Sequence, residues 1–256
     1  MVFYFSGTGN TRWIAQQISD AVGERLYFIP EELEGNMRYH LKEGERIGFC
    51  FPVHGWQPPY IVREFISKIE IDNADGHYCY AVCTCGDTIG LAMEMFNKEL
   101  EKKRLHAKSV FSVIMPESYV CLPGMFTDTP ENEKRKIDEA ARFLADILHV
   151  IIGREEGREI LVKGKRPWLL SNVIGGFFNK CMITDRPFSV NKEKCLHCGL
   201  CEQNCPTNNL AMSHGLPVWK HISCTNCLAC YHHCPVHAIE YGRITKKRGQ
   251  YYFNHK

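Results

Sequence analysis

Apolar positions along most of this chain follow two rhythms. Short runs rich in β-branched and aromatic residues alternate with longer stretches in which apolar residues return every third or fourth position. Val2-Phe3-Tyr4-Phe5 is the first run, and Ile14, Ile18, Ala21 and Val22 then share one side of a helix. Leu26–Ile29 and Ile47–Val53 read as the second and third strands. A helix over Pro58–Ile69 follows, with Ile61, Val62, Phe65, Ile66 and Ile69 at helical spacing. Tyr78–Thr84 reads as a fourth strand, and a helix from about Ile89 to Arg104 presents Met93, Phe96 and Leu100. Ser109–Met115 is the fifth strand. Glu131–Ile152 is a long charged helix that turns Ile137, Ala140, Phe143, Leu144, Ile147 and Leu148 inward. The alternation predicts an α/β unit: a doubly wound, five-stranded parallel sheet covered by helices on both faces.

The rhythm stops after residue 152. Gly153-Arg154-Glu155-Glu156-Gly157 reads as a turn, and the stretch from Arg166-Pro167-Trp168-Leu169-Leu170 to Phe177-Phe178 is amphipathic and aromatic. It is expected to pack between two domains. A membrane-surface helix is the alternative, but the polar side of this stretch lacks the usual density of Lys and Arg. The run from Trp168 to Phe178 is too short and too broken to span a bilayer. The chain therefore divides into a first domain at 1–152, a connector at 153–187, a small α+β domain at 188–243 and an extension at 244–256. In that extension Lys246-Lys247-Arg248 reads as a solvated patch.

The small domain carries one motif twice. Cys195, Cys198, Cys201 and Cys205-Pro206 form C-x2-C-x2-C-x3-C-P, and Cys224, Cys227, Cys230 and Cys234-Pro235 repeat it with the same intervals. A zinc site closes with pairs of ligands, so a third Cys two residues later exceeds its needs. Disulfides do not suit a chain that opens on a strand with no secretion signal. Over this span the sequence resembles bacterial two-cluster ferredoxins, which hold two 4Fe–4S clusters on thiolates. The resemblance implies that the fourth Cys of each run serves the other cluster. One set is then Cys195, Cys198, Cys201 and Cys234, and the other is Cys224, Cys227, Cys230 and Cys205.

The opposite end carries a second signal. Ser6-Gly7-Thr8-Gly9-Asn10-Thr11 sits between the first strand and the first helix, where backbone N–H groups and a helix N-terminus hold phosphate. Glycines allow close approach, and Ser6, Thr8 and Thr11 add hydroxyl donors. No G-K-S/T follows, and Arg12 stands where a dinucleotide fingerprint has its third Gly. The loop resembles the S/T-x-T-G-N-T signature of flavodoxins, whose ligand is FMN. A chance helix cap is the bland alternative.

Together the two ends resemble the flavodoxin–ferredoxin fusion proteins of anaerobic bacteria and archaea. The resemblance implies strand order 2-1-3-4-5, with FMN at the switch point beyond the first and third strands. It also nominates the loop Val53-His54-Gly55-Trp56, with Gly55 as the peptide facing flavin N5 and Trp56 as the stacking ring; alternatively, Trp56 only covers the sheet edge. His54 could tune the flavin, but as a lone loop histidine it is expected to be solvated. Thr84-Cys85-Gly86-Asp87 would steady the pyrimidine end, with the Asp87 side chain pointing away or capping the next helix. Tyr119 is a further aromatic candidate.

Length, composition and charge fit this layout. The 256 residues, 45% of them hydrophobic, suffice for one cored domain and a small domain that depends on its clusters for folding. A net charge of +2 implies no nucleic acid. The remaining cysteines are Cys50, Cys79, Cys83, Cys85, Cys121 and Cys181; they read mainly as small buried hydrophobes, and so many thiols fit an anaerobic cytoplasm. The expected activity is electron transfer between FMN and two 4Fe–4S clusters, exchanged with a ferredoxin-like protein. The alternatives are a flavin-dependent reductase of a quinone, nitro compound or enoate, and a redox or oxygen sensor.

Overall fold

The computed structural model describes residues 1–253. Its frame is a six-stranded, wholly parallel sheet built from β1 (Val2–Tyr4), β2 (Leu26–Phe28), β3 (Ile47–Pro52), β4 (Cys79–Cys85), β5 (Ser109–Ile114) and β6 (Arg158–Ile160), in the order β2-β1-β3-β4-β5-β6. Successive strand residues face opposite sides, so Phe3, Phe5, Phe49 and Phe51 enter one core while Val2, Tyr4, Cys50 and Val82 enter the other. Helices α2 (Tyr60–Lys68) and α3 (Ala92–Glu101) cover the first face through Phe65, Ile66, Met93 and Phe96. Helices α1 (Asn10–Val22) and α4 (Pro130–Gly153) cover the second through Ile14, Ile18, Leu144 and Ile147. Every residue of β4 is buried, which is why it reads as a continuous apolar run.

The sheet has six strands, not the expected five. Strand β6 pairs Ser109 with Arg158 and Phe111 with Ile160, within the stretch assigned to the connector. Its three residues are exposed, and two are charged. That composition suits an edge strand and hides it from a search for apolar runs. A two-residue parallel pair, Arg38–Tyr39 with Glu70–Ile71, also lies below the length at which a pattern shows.

Residues Leu169–Met182 coil in wide helical turns over one end of the sheet. Ser171, Gly175 and Phe178 are buried beneath them, while Trp168 and Phe177 remain 64% and 62% exposed. The small domain pairs β7 (Phe188–Val190) with β10 (Ile239–Tyr241) and forms a hairpin of β8 (Leu210–Ser213) and β9 (Leu216–Trp219). Two one-turn helices, α5 (Leu200–Gln203) and α6 (Ala229–His232), carry the third cysteine of each run, Cys201 and Cys230.

The extension after residue 243 folds back over the first domain. Gln250 donates to the carbonyls of Tyr231 and Cys234, and Tyr251 donates its hydroxyl to Asn10 Oδ1 at 2.6 Å. Phe253 stacks on Trp13, and its N–H reaches the Thr8 carbonyl. Lys246 and Lys247 are exposed, but the Arg248 guanidinium lies over the Phe126 ring at 3.5 Å rather than in a solvated patch. Residues 254–256 of the extension lie outside the described residues. No helix among the described residues is long and apolar enough to cross a membrane.

Candidate cofactor site

Three loops at the C-terminal edge of the sheet are tied to one another. Gly9 turns the chain into α1 with φ of 94°, a left-handed step that favours glycine, and its N–H donates to Ser6 Oγ at 3.1 Å. No side chain caps α1, and its first turn carries no acid, so its positive end is left for an external anion. The Thr11 and Thr84 hydroxyls bond at 2.7 Å, fully buried. Asn10 donates to the Pro116 carbonyl at 3.0 Å and accepts from Tyr251. The loops after β1, β4 and β5 are thus held in one arrangement, with the extension as a strap.

The loop after β3 is a tight turn. His54 and Gln57 exchange backbone bonds of 3.0 and 3.2 Å, and Gly55 and Trp56 between them are both left-handed, at φ 55° and 56°. A tryptophan in that conformation costs about 1–2 kcal/mol, so its surroundings must hold it. They do. Trp56 Nε1 donates to Thr88 Oγ1 at 3.2 Å, and the buried Ser171 hydroxyl donates to the Trp56 carbonyl at 2.8 Å. Gln57 donates to the Ser171 carbonyl at 2.8 Å, and Asn179 donates to that of His54 at 3.0 Å. A Cβ on Gly55 would overlap the Phe178 ring. His54 is not solvated as expected: it is half-buried, hydrogen-bonds the Thr225 backbone, and is driven by burial down to a pKa of about 4, so it is neutral at ordinary pH.

The loop after β4 rests on a charged support. Lys136, buried on α4, donates to the Gly86 carbonyl at 2.9 Å and to Asp128 Oδ2 at 2.7 Å. The same Asp128 oxygen accepts the Glu117 N–H at 2.7 Å. Burial works against the Asp128 carboxylate, but the bonds from Lys136 and the Glu117 amide hold it below the usual range. Asp87 is exposed at the rim and does not cap the next helix, which starts at Ala92 with no side-chain cap. The Cys85 thiol is pushed up to about 12 by burial and stays protonated.

These loops enclose a cavity of about 330 Å³. All the sequence-nominated residues of the loops after β1, β3 and β4 line it except Gly9, which packs instead against Phe253, and Tyr119 lines it as well. Residues that carry no motif extend the wall: Glu117, Leu122 and Met125 after β5, and Ile174, Phe177, Phe178 and Met182 above; Thr225–Leu228, which includes the motif residue Cys227, joins them from the second cysteine run. The aromatic character of 166–178 hinted at the roof. Nothing in the sequence placed Thr225–Leu228 there. That approach is close: a Cβ on Gly7 would stand 2.7 Å from Cys227 Cβ. A polar groove of about 400 Å³ lies on the other side of the same loop, lined by Arg12, Glu31 and Cys205, but it presents no tryptophan and no turn like that at His54–Gln57.

The eight motif cysteines fall into two adjoining groups. Cys195, Cys198, Cys201 and Cys234 ring a cavity of about 20 Å³. Cys205 lies close enough to Cys224, Cys227 and Cys230 to interact electrostatically with each, and Cys230 also lies near Cys201. Both groups mix the two runs. Among the described residues no three His, Cys, Asp or Glu groups converge on one ion position. Backbone N–H groups point at two sulfurs, from Asn226 to Cys224 Sγ at 3.4 Å and from Ala238 to Cys234 Sγ at 3.2 Å. The other buried thiols, Cys50, Cys79, Cys83 and Cys121, are all raised by burial and are inert at neutral pH.

Comparison with known proteins assigns the small domain. Residues 188–235 match the 4Fe-4S dicluster domain family. No match is found among curated proteins. Among solved structures, a Bacteroides uniformis protein ascribed to the flavoproteins is similar at 18% identity, covering 54% of this chain and 96% of that one, with a TM-score of 0.35. The Flv1 flavodiiron core from Synechocystis is 18% identical over 59% of this chain and 36% of its own, with a TM-score of 0.33. Rubredoxin oxygen:oxidoreductase from Desulfovibrio gigas is 13% identical over the same shares, with a TM-score of 0.32.

Proposed function

We propose that this iron–sulfur protein is an electron-transfer flavoprotein of the flavodoxin–ferredoxin fusion type. FMN occupies the 330 Å³ cavity, and two 4Fe–4S clusters carry electrons between it and a redox protein partner in the cytoplasm. One observation carries the reading: a single cavity is lined both by the phosphate-type loop Ser6–Thr11 and by Thr225–Leu228, with Gly7 packed on Cys227. A volume of this size lies within the ordinary range for small-molecule sites. FMN accepts electrons singly or in pairs, whereas each cluster passes one at a time.

The chain's own groups then have defined tasks. The α1 N-terminus and the hydroxyls of Ser6, Thr8 and Thr11 hold the phosphate. The clamped turn at Gly55–Trp56 and the Tyr119 ring, which meets Phe178 edge-on at 5.4 Å, flank the isoalloxazine. The peptides of Thr84–Asp87, propped from below by Lys136, face its pyrimidine edge. The crossed sets of cysteines ligate the clusters, and the N–H groups of Asn226 and Ala238 tune them.

The test is anaerobic purification, quantitation of iron, sulfide and flavin, and stepwise dithionite reduction followed by visible and EPR spectroscopy. About eight iron and one FMN per chain, with magnetically interacting cluster signals, are expected. Zinc in place of iron, or no flavin after reconstitution, overturns the reading.

A further inference from the structure

Among the described residues two carboxyl groups line the cavity, Asp87 exposed at its rim and Glu117 further in, and the electron-transfer reading gives Glu117 no task. Its Oε1 accepts the N–H groups of Ser118 and Tyr119 at 3.0 and 2.8 Å, which fixes the side chain. Oε2 abuts Gly86, where a Cβ would collide with it, and among the described residues both hydrogen bonds to the carboxyl group go to Oε1 instead. It lies beside the loop that faces the flavin's pyrimidine edge.

The groups around it leave this oxygen free to exchange a proton. Lys136 on α4 favours the carboxylate, but its ammonium is already shared between Asp128 and the Gly86 carbonyl. Asp128, ahead of α4, repels a second negative charge. Cys85 on β4 is protonated, and Asp87 on the same loop lies out in solvent. From the small domain, His232 contacts the Ser118 carbonyl at 2.7 Å and is kept neutral by burial. Burial raises the Glu117 pKa despite its two amide donors. New negative charge in the cavity raises the pKa of a carboxylate so placed still further.

We infer that Glu117 is the proton-holding residue of the flavin cavity, taking up one proton at Oε2 when negative charge enters and releasing it when that charge leaves. The inference rests on FMN occupying the cavity. The electrons come from the iron–sulfur side, and the proton comes from solvent. Glu117 passes from carboxylate to carboxylic acid, with no covalent bond to the cofactor made or broken. The role ties the flavin potential to pH and keeps the cavity close to neutral.

Redox-difference infrared spectroscopy on the holoprotein tests it, together with the pH dependence of the flavin midpoint potential in wild type and Glu117→Gln. Reduction of the wild type should produce a carboxylic acid C=O band that shifts in D2O. The Gln variant should lack the band and should take up one proton fewer per reduction across the weakly acidic to neutral range. The wild-type band needs no variant, so a misfolded variant leaves a decisive measurement. A bound, reducible FMN with no such band, or with the same pH dependence in both proteins, overturns the role of Glu117 alone. Wild-type protein that binds no FMN overturns the cavity assignment and this inference with it.

Discussion

The two cysteine runs share their intervals and their backbone path, and differ in what surrounds them. His197, Gly199 and Asn208 of the first run are left-handed, and Asn226, Leu228 and His237 repeat those steps at the equivalent positions of the second. Each run then makes a one-turn helix. In the first run the residues between ligands face solvent: Leu196 is 60% exposed, and His197 and Cys198 are exposed too. In the second, Thr225, Asn226 and Leu228 are 5%, 4% and 3% exposed and line the 330 Å³ cavity. The same ligand chemistry is thus offered once to the outside and once to the inside. Under the proposed function, the outer run meets the redox partner and the inner run meets the flavin.

Removing one ligand from each side breaks the comparison most severely. Cys198→Ser should cost the outer cluster, roughly halving the iron, while FMN remains bound. Cys227→Ser should cost the inner cluster and also weaken FMN by more than about tenfold, since Gly7 rests on that residue and the small domain depends on its metal for folding. Iron and flavin quantitation of the two proteins reads both effects. Equal loss of flavin in both would show that the inner run has no special link to the cavity.

The junction itself is the next target. Gly7→Val places a Cβ 2.7 Å from Cys227 Cβ and 2.8 Å from the Cys227 carbonyl oxygen, backbone that cannot swing aside. Overpacking of this kind costs about 1–3 kcal/mol. Flavin affinity should fall about tenfold or more, by fluorescence titration, and the outer cluster's EPR signal should be unchanged. Retained flavin affinity would separate the loop from the inner run.

Much of this arrangement was legible in the sequence, for identifiable reasons. Strands buried on both faces, such as β4, announce themselves as apolar runs, and the cysteine intervals and the Ser6–Thr11 loop carry their chemistry in their spacing. Strand β6 was hidden because Arg158 and Glu159 are an edge strand's residues and follow no apolar pattern. His54 was misjudged because the backbone group that meets it, that of Thr225, lies far away along the chain. Glu117 has no motif at all; its place depends on the bare Cα of Gly86 beside it. Local chemistry was readable, whereas contacts between the two domains were not.

The Lys136–Asp128 support beneath the loop after β4 sharpens the comparison next. Lys136→Met leaves the half-buried Asp128 without its cation, at a cost of about 1.5–3 kcal/mol for a lost charged hydrogen bond. Asp128 has a lowered pKa in the wild type, so its contribution is present above the unfolded carboxylate value and is lost as pH falls through the folded one. Without Lys136 that pKa rises, so the variant's deficit should be largest near neutrality and narrow in acid. Denaturant titration at several pH values measures it. Flavin binding should weaken with the Gly86 carbonyl freed, and both clusters should stay; a deficit independent of pH would sever Asp128 from the effect.

The smallest effect comes from exchanging the residues that differ at one shared backbone step. Gly199 and Leu228 are both left-handed, at φ 74° and 61°, but only glycine takes that conformation without strain. Leu228→Gly therefore relieves about 1–2 kcal/mol of backbone strain while giving up about 1.5–3 kcal/mol of side-chain burial. The net loss should be near 1 kcal/mol, and it should grow when FMN is bound, because the lost side chain is part of the cavity wall. Gly199→Leu meets open space, its nearest neighbour being Gln203 Nε2 at 4.0 Å, so it adds strain with little burial in return. It should cost about the same 1–2 kcal/mol with no dependence on flavin. Thermal unfolding of both proteins, with and without FMN, separates the two cases. The strained leucine is the residue by which the inner run departs from its twin, and a flavin-dependent loss confined to Leu228→Gly would show that the strain is held in place by the cavity it helps to close.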